Sequence, residues 1–247
     1  MTTEKFIAEV LGTGTLILLG DGVVAAVLLA KSKEQNAGWI VITLGWGMAV
    51  FAGIAVAGLA SGAHINPAVT FAVWLDSLAN NGDFGTDQLL LYWLAQMIGA
   101  MIGAFLVFLH YYPHWQETDD PGLKLAVFST GPAVRTTAWN FWSEVVGTFM
   151  LVFVGFSLAK GTTPAIGGAL SWGLLVLVIG LSLGGTTGYA INPARDLGPR
   201  IIHAIVPIPG KGGSDWGYSW IPVLGPLVGG GLGWVVFNYL SHNMLGM

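Results

Sequence analysis

The feature that most constrains this chain is a series of six apolar stretches, each long enough to cross a lipid bilayer. A membrane-spanning helix needs about 20 mostly apolar residues. Only 9% of the 247 residues are charged, whereas soluble domains carry about 25%, so the chain lacks the charge that a water-exposed surface requires. We therefore expect an all-α membrane protein. The predicted spans cover roughly residues 6–30, 38–60, 87–112, 139–159, 165–187 and 218–241.

Two shorter apolar stretches, at 66–79 and 192–206, are predicted to be half-helices that enter the membrane and return. A stretch of about 10–14 apolar residues is too short to span a bilayer and often forms a re-entrant segment. Both stretches open with the same tripeptide, formed by Asn66, Pro67 and Ala68 in the first and by Asn192, Pro193 and Ala194 in the second.

The two halves of the chain repeat each other. The segment Glu9-Val-Leu-Gly-Thr matches Glu144-Val-Val-Gly-Thr, and Trp46-Gly47 matches Trp172-Gly173. Each half holds three spans and one half-helix, and because three is odd the second copy begins on the opposite side of the membrane. The repeat is therefore inverted. We assign residues 1–112 to the first repeat, 113–138 to an exposed connecting loop and 139–247 to the second repeat.

An inverted repeat brings the N-termini of the two half-helices together near the middle of the membrane. Proline suits the first helical position, and asparagine suits the N-cap. If each asparagine carbonyl caps its helix, its amide N–H groups are free to face a lumen, where both helix dipoles add partial positive charge. This predicts a narrow, uncharged site that donates hydrogen bonds and disfavours cations. The alternative, that the tripeptides only start two ordinary helices, is less favoured because both copies lie at matched places.

Several polar residues in apolar surroundings are candidates for the site. Arg195 directly follows the second tripeptide, and we favour a pore role over an arginine that reaches the interface or pairs with Asp196. Glu9 and Glu144 are expected to accept loop N–H groups and hold the loops in place, with a proton relay as the less favoured alternative. His64 is expected to pack the loop or line the lumen, because no second ligand lies at metal-binding spacing.

Asp21 is harder to place, since it lies in the first span between two glycines. It either faces a wet vestibule or pairs with a neighbouring span, and the residues alone do not decide between these.

Two segments, Ser61–Thr70 and Gly188–Pro199, resemble the two pore boxes of the aquaporin and glycerol facilitator family. The resemblance covers about residues 5–241. It implies six transmembrane helices with two re-entrant half-helices, in a passive channel that is not an enzyme and has no cofactor or metal. It also implies a homotetramer in the plasma membrane.

Within that family, the chain resembles the glycerol facilitators. The residues that carry this subfamily resemblance are Phe108, Asp196, Arg200, Pro222 and Val223. In glycerol facilitators the pore constriction is formed by Trp, Gly, an aromatic residue and Arg, which fall here on Trp46, Gly180, Tyr189 and Arg195. Gly180 is expected to leave room where strict water channels use a histidine. Backbone carbonyls continue the polar stripe of the pore at Gly62, Ala63, His64, Gly188, Tyr189 and Ala190.

Two departures from the family leave the solute open. Facilitators often have Phe where this chain has Tyr189, and they tend to have an aliphatic residue at the position of Asp21. Glycerol and water are the expected solutes, with dihydroxyacetone, urea or protonated lactic acid as alternatives. An ion-coupled transporter is less favoured, because only Glu9 and Glu144 are available as coupling carboxylates. A membrane enzyme would need a nucleophile–base pair or a metal cluster, and the sequence offers neither.

Overall fold

The computed structural model describes residues 1–161 and 165–243, which form helices and loops with no β-strand in these two ranges. In chain order the helices are α1 Thr3–Leu28, α2 Trp39–Ser61, α3 Pro67–Ala79, α4 Thr86–His110, α5 His114–Glu117, α6 Pro121–Phe128, α7 Thr137–Gly161, α8 Ala165–Leu183, α9 Pro193–Ile205 and α10 Ile221–Asn243.

Six long helices, α1, α2, α4, α7, α8 and α10, correspond to the six predicted spans. Five of them are apolar and long enough to cross a membrane, and α8 is an apolar helix of 19 residues. Helix α8 ends at Leu183, four residues before the predicted boundary at 187. The second repeat was predicted to run to residue 247, and residues 162–164 and 244–247 of it lie outside the described residues.

The two half-helices α3 and α9 begin at the two Asn-Pro-Ala sequences. The side chain of Asn66 accepts a hydrogen bond from the Ala68 N–H at 2.9 Å, and Asn192 does the same for Ala194 at 3.0 Å. The proline in each motif occupies the first turn. Helix α3 packs against α10 of the other half, and α9 packs against α4. Each half-helix is therefore held mainly by the opposite repeat.

Close contacts between long helices require glycine at the crossing points. A Cβ at Gly47 would lie 2.7 Å from the carbonyl of Gly173, and a Cβ at Gly173 would lie 2.6 Å from the carbonyl of Gly47. This reciprocal contact joins α2 to α8 through matched positions of the two repeats. It is the pattern expected of two halves related by a pseudo-twofold axis.

The connecting segment 113–138 is not the wholly exposed loop that was predicted. It contains the short helices α5 and α6, and the side chains of Trp115 and Phe128 are fully buried. Asp120 caps α6 and Pro121 takes the first helical position, the arrangement that favours a helix start. Helix α6 packs against α1 and α9, and the segment buries its large apolar side chains in the bundle.

We expect Gly99→Ala to destabilise the protein, because its Cβ would lie 2.3 Å from the Val10 carbonyl on α1. Forcing α1 and α4 apart should cost about 1–3 kcal/mol. The control is Gly22→Ala, where a Cβ has no neighbour within 4 Å and a gain of up to about 1 kcal/mol is expected from helix propensity. Thermal unfolding in detergent, followed by size-exclusion chromatography, measures both. Equal melting temperatures for the two variants would contradict the packing argument.

Candidate functional site

In the described part of the protein, each of the two re-entrant loops borders a cavity. The first has a volume of about 900 Å³ and is lined by loop residues 62–66 together with Asn192. The second has a volume of about 450 Å³ and is lined by Trp46, Gly188, Tyr189 and Arg195 among others. The N-caps of both half-helices, Asn66 and Asn192, therefore border the first cavity, and Arg195 in the first turn of α9 borders the second.

The side chains of Asn66 and Asn192 link the two loops reciprocally. The Nδ2 of Asn66 donates to the carbonyl of Ile191 at 2.8 Å, and the Nδ2 of Asn192 donates to the carbonyl of Ile65 at 2.9 Å. A primary amide has two N–H donors. One N–H of each asparagine is thus used to hold the opposite loop, and only the second N–H is available to a solute.

Glu9 holds the first re-entrant loop from inside the bundle. Its carboxylate accepts the N–H groups of His64 and Ile65 at 2.9 and 2.8 Å. It also accepts hydrogen bonds from Ser61 and from Gln96 of α4. The fully buried carboxylate therefore has a full set of donors, as a buried charge requires.

Glu144 holds the second loop in the same way. Its carboxylate accepts the N–H groups of Ala190 and Ile191 at 3.0 and 2.9 Å, and the hydroxyl of Thr187 at 2.7 Å. Sequence reasoning did not identify Thr187 or its counterpart Ser61. The available signal was a hydroxyl residue directly before the loop glycine in both repeats.

Both loops have left-handed backbone at matched positions. The φ angles are 85° and 86° at Gly62 and Gly188, and 42° and 43° at Ile65 and Ile191. A β-branched residue rarely adopts a positive φ, so the carboxylate contacts must stabilise this conformation. In the described chain no hydrogen bond reaches the carbonyls of Gly62, Ala63, His64, Gly188, Tyr189 and Ala190.

Three of the four residues expected at the constriction line the second cavity, and Gly180 does not. A Cβ at Gly180 would lie 2.7 Å from the ring of Tyr189, so this ring takes the space that the glycine leaves. The guanidinium of Arg195 lies over the Trp46 ring, 4.0 Å from its centroid. Trp39, which sequence reasoning missed, packs edge-on against Tyr189 and donates its indole N–H to the Gly180 carbonyl.

A buried ion pair between Asp196 and Arg200 supports the second half-helix. The Nε of Arg200 donates to Asp196 at 2.8 Å, and its other nitrogens donate to the carbonyls of Thr130 and Ser214. Asp196 also accepts the N–H and the hydroxyl of Thr130. The pair therefore links α9 to the two loops that contain Thr130 and Ser214.

Arg195 does not pair with the neighbouring Asp196. The acidic group beside it is Asp21 of α1, whose Oδ1 lies 3.7 Å from Nη1. Asp21 is fully buried, so it does not face a wet vestibule.

The remaining predicted residues lie outside the constriction. His64 lines the first cavity and packs on the Tyr92 ring, with centroids 4.6 Å apart. No group of three metal-binding side chains occurs among the residues that the structure describes. Phe108 in α4, and Pro222 and Val223 at the start of α10, do not border either cavity.

Lys211 caps the C-terminal end of α9 from the loop that follows this helix. Its ammonium donates to the carbonyls of His203, Ala204 and Val206 at 2.6–2.8 Å. A cation at a helix C-terminus is stabilised by the helix dipole. Partial burial opposes this and lowers the pKa of Lys211.

We expect Arg200→Met to destabilise the protein strongly, because it leaves the carboxylate of Asp196 buried without its cation. Breaking one side of a buried pair costs about 3–5 kcal/mol. The matched control is Arg135→Met, which breaks the exposed pair with Asp215 and should cost less than about 1 kcal/mol.

Thermal unfolding in detergent is the measurement for this pair of variants. The double variant Asp196→Asn/Arg200→Met should recover part of the loss, because no charge is then left unpaired. A double variant as unstable as Arg200→Met alone would argue against charge burial as the cause.

Comparison with known proteins agrees with this architecture. Residues 1–237 match the family described as major intrinsic protein. The glycerol uptake facilitator protein 3 of Lactiplantibacillus plantarum is 56% identical over 96% of both chains. A probable glycerol uptake facilitator protein of Thermotoga maritima is 55% identical over 95% of this chain and 98% of its own. The X-ray structure of the aquaglyceroporin from Plasmodium falciparum is 31% identical, with a TM-score of 0.80 over 98% of this chain and 96% of that chain.

The family match spans nearly the whole chain, the two bacterial relatives share more than half of its residues, and the apolar helices are those of a multi-pass membrane protein. The chain belongs to the major intrinsic protein family of plasma-membrane channels.

Proposed function

We propose that this protein is a passive channel for glycerol, similar small neutral solutes and water. The observation that carries the proposal is the reciprocal hydrogen bonding of Asn66 and Asn192 to the opposite loops, at the border of the first cavity. Each asparagine keeps one N–H free at a point where two helix N-termini meet. A solute hydroxyl can accept these hydrogen bonds, while the partial positive charge there disfavours cations.

The second cavity supports a filter that distinguishes the two faces of a polyol. Trp46 and Tyr189 offer aromatic surface to the carbon chain, and Arg195 offers N–H donors to the hydroxyls. The unpaired loop carbonyls accept hydrogen bonds from hydroxyls along the path. The names of the relatives, glycerol uptake facilitators in two bacteria, favour glycerol over dihydroxyacetone, urea or protonated lactic acid.

The carboxylates argue against an ion-coupled transporter. Glu9 and Glu144 are fully buried, and their carboxylate oxygens accept hydrogen bonds from loop N–H groups and hydroxyls. A coupling site must bind and release its ion, and neither carboxylate lines either cavity. Homotetrameric assembly is part of the proposal, since large apolar side chains are exposed along the long helices and can contact lipid or a neighbouring copy.

Stopped-flow light scattering of proteoliposomes tests the proposal directly. Fast re-swelling under a glycerol gradient, together with fast shrinkage under sucrose, is the expected result. Water flux without glycerol entry would replace the proposal with a water channel. Glycerol entry that needs a proton or sodium gradient would replace it with a coupled transporter.

We expect Gly180→Ala to reduce glycerol permeability about tenfold and water permeability much less, because the added methyl pushes the Tyr189 ring toward the lumen. The control is Gly185→Ala, since Gly185 lines the same cavity but has open space around its Cβ position. The same stopped-flow measurement gives both permeabilities. A glycerol rate that falls equally in the two variants would argue against a filter at Tyr189.

We expect Tyr189→Phe to change glycerol permeability by less than about twofold, because the hydroxyl is buried and makes no hydrogen bond in the described part of the protein. Removing a buried, unpartnered hydroxyl is close to neutral for stability. The measurement is the glycerol-to-water permeability ratio of the variant. A ratio that changes tenfold would place the hydroxyl in contact with the solute.

A further inference from the structure

Asp21 is a fully buried carboxylate of α1 with no hydrogen-bond donor on either oxygen among the described residues. A charged or polar group in this position is costly unless it is paired. Glu9 on the same helix has four donors to its carboxylate. Asp21 therefore does not hold a loop by accepting hydrogen bonds, as Glu9 does.

The group that Asp21 faces is the guanidinium of Arg195. Its Nη1 is 3.7 Å from the Asp21 carboxylate and makes no hydrogen bond to the rest of the described chain. Asp196 is occupied by Arg200 and Thr130. In the described residues Asp21 is thus the sole carboxylate in ion-pair contact with Arg195.

The neighbouring residue on α1 completes the arrangement. A Cβ at Gly20 would lie 2.2 Å from the Trp46 ring, so this glycine lets the indole pack against α1. The guanidinium lies over the same ring. The Trp46 ring of α2 and the Asp21 carboxylate of α1 therefore hold Arg195 in place. Arg195 also lines the second cavity.

We infer that Asp21 is a specificity-determining residue that acts through Arg195. Its carboxylate neutralises the charge of Arg195 and holds the guanidinium against Trp46, so the constriction offers N–H donors without a net positive charge. This inference rests on the channel function proposed above. Asp21 is a positioning residue, because it does not itself line the cavity.

The first test compares single and double variants of Arg195 and Asp21. The measured quantity is the rate at which potassium leaks from potassium-loaded proteoliposomes. Arg195→Val exposes an uncompensated Asp21 carboxylate to the pore, and the leak should rise about tenfold or more over wild type. Arg195→Val/Asp21→Asn should return the leak to the wild-type level, because the remaining negative charge is gone. A leak that is absent in Arg195→Val, or that persists in the double variant, would overturn the inference.

The second test measures glycerol and water permeability. Asp21→Asn frees the guanidinium to turn toward the cavity, and glycerol permeability should fall about fivefold while water changes less than about twofold. In the Arg195→Val background the same substitution should leave the glycerol-to-water ratio unchanged, since a residue that acts through another loses its effect when that partner is removed. A similar drop in both backgrounds would indicate a general packing defect and overturn the inference.

The matched control is Thr13→Val, which alters another fully buried polar group of α1 whose hydroxyl also has no partner among the described residues. It should change neither the leak nor the permeability ratio. The leak measurement does not depend on which neutral solute passes. If the wild-type protein excludes glycerol but the variants show the expected cation leaks, the proposal that glycerol is the solute is wrong and the proposed role of Asp21 is supported.

Discussion

The two re-entrant loops depend on two buried carboxylates that hold them in a strained conformation. Glu9 and Glu144 each accept two consecutive N–H groups from a loop that adopts positive φ at an isoleucine. With the N–H groups directed into the protein, the preceding carbonyls are left without protein donors. Irregular backbone at membrane depth is tolerated only where protein or a wet cavity satisfies it. Here the protein satisfies the N–H donors, and in the proposed channel a passing solute would satisfy the carbonyl acceptors.

In the proposed channel, the same loops form the centre of the pore without a charged side chain. Asn66 and Asn192 each cap their own half-helix and bind the opposite loop, so the side chain of Asn66 cannot turn away without breaking two hydrogen bonds, and that of Asn192 without breaking three. The two helices are in turn packed against the opposite repeat. An uncharged, rigid pair of donors is what selectivity for neutral solutes requires, because a mobile or charged group would bind some solutes too tightly to release them.

The sequence was sufficient for the spans, the half-helices and their caps, because apolar length and Asn-Pro at a helix start are local properties. The short helix α6 was also open to prediction, since Asp120 and Pro121 form an N-cap and first turn, yet the polar composition of the segment argued for a loop. The occupation of the space beside Gly180 by the Tyr189 ring could not be deduced. It depends on how α8 and the second loop pack, and nothing in their spacing along the chain specifies that contact.

Two acidic–basic pairs at the start of α9 account for the different roles of adjacent residues. Asp196 and Arg200 lie one turn apart, are fully buried and form hydrogen bonds with each other and with Thr130. Both charged groups therefore stabilise the fold. Arg195 faces Asp21 at a longer distance and keeps N–H groups toward the cavity. A guanidinium whose counter-charge is distant, such as that of Arg195, can donate to a solute hydroxyl. The guanidinium of Arg200 cannot, because its N–H groups are already bonded to Asp196 and the loop carbonyls.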